Sequence, residues 1–387
     1  MTDLFPSLDE LLDSGDPARG LDFLIEQFLA AKEYGQAFEA RLMKKRFELR
    51  LPLLQTDSLN DEAYQAAVVE IARDTGKLFL EAGNIERAWP YFRAISDTGP
   101  VAQAIAKLEP REDPEGVINM DGVINIAFQE GVNPLKGIEL IIANHGMCRA
   151  LTAFGMTAVT KDRDKCIALL TTELHGEVIR RMRQAIGYAP PSDSLIELMA
   201  GRDWLFGEWD YYVDTSHLLT IIPYCVEVTD PAVLKLLSEL CEYGKHLSTH
   251  FQTPGIPPFE NQFEAYGHYV SALMGEQVEK HLAYFRQQVA EADPETVGDG
   301  PGRILVRLLV ALGRQHEALD VLLEHVFEDA PYGAPVPSAL QLCYQSKDYS
   351  RMIEIAKDRG DLLSYLAAKI SNPAKTPQSA PAGWEGL

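Results

Sequence analysis

The chain has 387 residues, 46% hydrophobic and 24% charged, which is enough apolar material for an extended core and argues against a chain disordered throughout. Its formal net charge of −22 repels phosphate backbones, so nucleic-acid binding is excluded as a general property and cationic partners are favoured. No apolar run is long enough for a membrane span, and the acidic start MTDLFPSLDELLDSGD lacks the basic and apolar regions of a secretory signal.

Apolar residues recur along the chain at three- and four-residue spacing, without sustained period-two alternation, so the expected class is all-α. The first periodic stretch places Leu21, Leu24, Ile25, Phe28 and Leu29 on one helical face. A second helix is expected after Tyr34-Gly35, with Ala37, Phe38 and Leu42 facing inward and the basic run 41–46 forming a solvated face. In the segment 70–100, Gly76 and Ala88 are small where two helices would cross, and Phe79 and Phe92 fill the space beside them. Gly83-Asn84 supplies the turn, and Pro100 blocks continuation of the second helix.

This spacing resembles a tetratricopeptide repeat. The segments 303–330, around Gly313 with Ala318 and Leu322, and 338–370, around Lys347-Asp348-Tyr349, are similar in shape. The resemblance implies a right-handed α/α superhelix of stacked helical hairpins, since a lone hairpin would leave its apolar faces wet. It also implies a partner-binding scaffold, although the fold does not fix the job. The expected organisation is residues 1–110 as N-terminal hairpins, 111–292 as a central His- and acid-rich helical region, 303–370 as C-terminal hairpins and 371–387 as a disordered tail. Two breaks interrupt the array: the proline-rich 252–258 and the stretch DPETVGDGPG at 293–302, expected to be a flexible linker. Trp384 in the tail is either an incidental exposed residue or the anchor of a docking peptide. Five scattered cysteines without a CxxC pair suit reduced, mostly buried thiols and a cytoplasmic location.

Chemistry is concentrated in the middle of the chain. Residues 191–300 hold 18 Asp/Glu against 5 Lys/Arg, and seven of the nine histidines fall between positions 145 and 281. His145, His175, His217 and His268 come one per successive hairpin, so a curved array could aim all four at one point. Asp210, Asp214 and His217 fall at i, i+4 and i+7, and Glu264 and His268 at i, i+4, as on shared helix faces. His246 and His250, also i, i+4, are expected to cap a helix end. The aromatic run around Trp204, Trp209, Tyr211 and Tyr212, with Tyr266 beside His268, is expected to wall a pocket. Arg149, Arg180 and Arg183 would clamp an anionic group. Cys148, three residues after His145, is expected to be a buried structural thiol.

Two functional expectations follow. One is a scaffold that binds a protein or peptide, or a small polar or cationic ligand in an acidic cavity, with no nucleic acid and no membrane as partner. The other is a metal-dependent enzyme of lyase, isomerase, hydrolase or oxygenase type. There a divalent ion (Zn, Fe or Mn) would be held by some of His145, His175, Asp214, His217 and His268, with Glu264 or Asp210 as general base and Arg149, Arg180, Trp209, Tyr212 and Tyr266 around the substrate.

Overall fold

The computed structural model describes residues 4–13, 15–54, 61–109, 119–187, 192–252, 258–259, 261–327 and 335–372. Trp384 and most of the 252–258 break lie outside this set. Among the described residues there are helices and turns but no β-strand, as the spacing of apolar residues requires. The chain divides into two compact units, 1–166 and 167–387.

The first unit contains α1 (Phe5–Asp13), α2 (Pro17–Ala30), α3 (Tyr34–Glu48), α4 (Glu62–Glu81), α5 (Ile85–Ala94), α6 (Gly99–Ala106), α7 (Met120–Ile124) and α8 (Pro134–Met156). Helices α2 and α3 pack as one pair and α4 and α5 as another. The turn between α2 and α3 is made by Lys32, at φ 57°, and Tyr34-Gly35 already belong to α3. The core of this unit gathers Phe79, Ala88, Phe92, Val101, Ile105 and Val123. At the α4–α5 crossing a Cβ on Gly76 would stand 2.6 Å from the Phe92 ring, so only glycine admits that ring. Gly83 turns the chain at φ 75°, and the Asn84 side chain accepts from the Arg87 amide to start α5. Pro100 opens α6, in the first turn where its missing N–H costs nothing; α5 has already ended at Ala94.

Helix α9 (Arg163–Ile186) crosses the boundary between the units. The second unit continues with α10 (Leu195–Met199), α11 (Thr215–Ile221), α12 (Pro231–His246), α13 (Gln262–Leu273), α14 (Val278–Glu291), α15 (Pro294–Val297), α16 (Gly300–Ala311), α17 (Gln315–His325), α18 (Ala339–Gln345), α19 (Tyr349–Asp358) and α20 (Leu362–Ser371). Sequence neighbours again pair: α12 with α13, α16 with α17, α19 with α20. Gly313 and Lys347 turn the chain between α16 and α17 and between α18 and α19, and Ala318 and Leu322 are buried.

The stretch 293–302 is not a flexible linker. Asp293 caps α15, and Asp299 and Arg303 form a buried ion pair at 2.8 Å. Asp299 also accepts from the Phe327 amide, and Arg303 donates to the Phe327 carbonyl, so the pair ties the start of α16 to the end of α17. Much of the acidity has a similar local use: Asp16, Asp61, Asp214, Asp230, Asp348 and Asp361 each accept backbone amides at a helix N-terminus.

Candidate functional site

The central acid- and aromatic-rich segment, 203–214, lies in the second unit between α10 and α11. Asp210 is not on a helix with His217. It closes a turn, its carboxylate accepting from the Gly207 amide at 3.1 Å while its own amide donates to the Gly207 carbonyl. Asp214 is the N-cap of α11, accepting from the amide and hydroxyl of Ser216, and these two bonds hold its carboxyl below the usual range. A helical face shared by Asp210, Asp214 and His217 therefore does not form, because capping at Asp214 starts the helix too late.

The segment is pinned from both sides. The Tyr212 hydroxyl donates to the Leu205 carbonyl, and the Tyr212 amide donates to the Tyr243 hydroxyl, each at 2.9 Å. Burial pushes the Tyr243 phenol well up, so it stays neutral as an acceptor. Ser248 donates to the Glu208 carbonyl at 2.7 Å, and the Glu208 carboxylate meets His250 Nε2 at 3.0 Å. The His250 ring stacks on Trp209, with centroids 4.6 Å apart and planes 11° off parallel. Tyr211 leans on Phe251. Held in this way, Trp204, Trp209 and Tyr211 are 61%, 67% and 53% exposed, so they form an outward surface and do not wall a pocket. Asp203, Glu208, Asp210 and Asp214 lie among them, and no Lys or Arg occurs from 203 to 234.

The four hairpin histidines have separate partners. His145, in the first unit, meets Asp121 through Nε2 at 2.9 Å. It sits where α8 breaks: Gly146, at φ 82° and ψ 175°, is non-helical. That break removes the helical relation to Cys148, which is exposed. The other cysteines, Cys166, Cys225, Cys241 and Cys343, are buried. In the second unit, His175 and Glu239 are buried together at 2.8 Å. The Glu239 carboxylate also accepts from the Ser194 hydroxyl and the Leu195 amide, so it joins α9, α10 and α12. His217 Nδ1 is buried with no hydrogen-bond partner among the described residues. His268 Nδ1 lies 2.7 Å from His281 Nδ1, and its ring stacks on Tyr284 at 4.1 Å. Desolvation first, then His281, lowers the pKa of His268 to about 4. His246 donates through Nδ1 to the Glu242 carbonyl at the end of α12, as a cap; His250 lies past the helix end.

Among the described residues no three His, Cys, Asp or Glu side chains form a group that could hold a metal ion. Glu264 is exposed in the first turn of α13. Arg149 and Arg180 are exposed, and Arg183 donates to the Ser192 carbonyl and the Asp193 carboxylate. Tyr266 lines a cavity that it shares with Tyr269 and Arg307.

The chain matches no protein family, no curated protein and no solved structure. Sequence spacing did not reveal the Glu208–His250–Trp209 cluster, because His250 lies 42 residues from Glu208. The one signal for it was a dense aromatic run next to acids, and this did not indicate which way the rings faced.

Proposed function

We propose that this protein is a helical binding scaffold and that segment 203–214 is its partner-facing surface, built to take a Lys/Arg-rich peptide segment of another protein. The observation that carries the reading is the pinned loop that holds two tryptophans and a tyrosine in water among four carboxylates. Exposed large aromatics at fixed positions are the anchors of recognition surfaces, because little side-chain freedom is lost on binding. A guanidinium or ammonium group gains on an indole face what it also gains from a nearby carboxylate. The same negative field disfavours a second copy of this chain, a nucleic acid and an anionic lipid surface as occupants.

The test is fluorescence anisotropy with a labelled arginine-rich peptide and a glutamate-rich peptide of equal length. The basic peptide binds, weakens as salt rises, and loses about tenfold or more in affinity in the Trp204→Ala, Trp209→Ala double variant. Equal binding of the two peptides, or unchanged affinity in that variant, overturns the proposal.

A further inference from the structure

The second unit holds a partly open cavity of about 580 Å³ between the 3-10 turn Ile222–Glu227 and helices α13, α14 and α16. That volume falls within the range of small-molecule sites, roughly 300–1,000 Å³. Among the described residues, five aromatic side chains line it, Tyr224, Phe259, Tyr266, Tyr269 and Phe285, beside aliphatic residues and Gln262. One cation, Arg307, lies among the lining residues.

Three donor groups on this wall, the Arg307 guanidinium and the Tyr266 and Tyr269 hydroxyls, have no acceptor among the described residues. Arg307 makes no hydrogen bond or ion pair with any described residue, although it is only partly exposed. Its neighbours on the same and following helices are satisfied: Arg303 by Asp299, Arg314 by Glu279 and Glu317. Tyr266 and Tyr269 line the cavity, and neither hydroxyl is among the buried polar atoms that lack a hydrogen-bond partner, so both are open to the cavity space. Burial pushes the Tyr266 phenol up to about 12 and raises Tyr269 further, with the Arg307 guanidinium pulling both back in part. Both are therefore neutral O–H groups at ordinary pH, available as donors. A guanidinium beside an apolar wall without a counter-ion is unfavourable, and phenols open to the same space are free to donate. A carboxylate satisfies all three: it accepts the planar fork of arginine in a bidentate pair and has lone pairs left for the phenols. A phosphate dianion would carry twice the charge into a largely apolar cavity within an already acidic protein.

We infer that this cavity is a binding site for a small apolar or aromatic monocarboxylate, its carboxylate held by Arg307 with Tyr266 and Tyr269, and its body packed against Tyr224, Phe259 and Phe285.

The experiment is isothermal titration of the full chain with 4-phenylbutyrate, octanoate and indole-3-acetate, each against the corresponding primary alcohol. At least one acid binds, about tenfold or more tighter than its alcohol. Arg307→Met removes that preference while leaving the weak affinity for the alcohol. Arg307→Lys, which keeps charge but loses the fork, retains part of it. Tyr269→Phe lowers affinity for the acid alone. The acid–alcohol comparison on the unaltered chain needs no variant to fold. Acids and alcohols binding alike, none of the probes binding, or the preference surviving in Arg307→Met each overturns the assignment.

Discussion

The side chains with the most at stake for stability are the buried ionisable ones. Buried Glu239 accepts from His175, the Ser194 hydroxyl and the Leu195 amide. Glu239→Ala leaves all three donors unsatisfied and is expected to cost about 3 kcal/mol or more in denaturant unfolding, whereas Glu239→Gln, which keeps an acceptor oxygen, costs less. His268 is a second case. With its pKa lowered from 6.5 to about 4, the folded chain resists a proton that the unfolded chain accepts. Stability attributable to this ring is therefore complete above pH 6.5 and is lost as pH falls toward 4. The groups acting on the His268–His281 pair include Lys245 and Lys280, which oppose protonation, and Glu276, which favours it. His268→Phe keeps the stack on Tyr284 and removes the titration, so thermal melts across that window should lose part of their pH dependence; an unchanged slope would count against this account. The histidines were visible in the sequence as a set, but their partners were not. Glu239 lies 64 residues from His175, and no helical period links them.

Helices were legible wherever a local rule governs them, and the boundaries missed were those decided by packing or capping. The α4–α5 hairpin could be anticipated because Gly76, Phe79, Ala88 and Phe92 carry its crossing within one short segment. Gly76→Ala puts a methyl group into the Phe92 ring and should cost about 1–3 kcal/mol, with Phe92→Leu in the Gly76→Ala background recovering part of the loss; additive effects would mean that the crossing is not the cause. The stretch 293–302 looked like a linker because its glycines, prolines and acids are all turn residues. Its order comes from Phe327, whose backbone carbonyl and amide meet the Arg303–Asp299 pair from a distant helix end. Segment 203–214 likewise has the composition of a pocket lining but is turned outward by contacts from 243 to 251.

At the scale of the molecule, charge is the dominant collective term. With a net charge of −22, the compact chain repels itself, and the acids at helix N-termini offset only part of this locally. Raising ionic strength from low to above physiological should raise the melting midpoint; a fall would mean that the ion pairs, such as Arg286–Glu317 and Arg351–Asp320, outweigh the repulsion. The sequence conveyed the helical class and the acidity, whereas the division of the chain lies inside α9, where no composition change marks it. That position has a practical consequence for dissecting the protein. A fragment trimmed at Cys166 would begin in mid-helix, stripped of the turn that the Cys166 amide closes on the Asp162 carbonyl and with Ile167 and Leu170 at a fraying end. A fragment boundary set before Asp162 keeps the helix whole, and only such fragments give a fair test of which half folds alone.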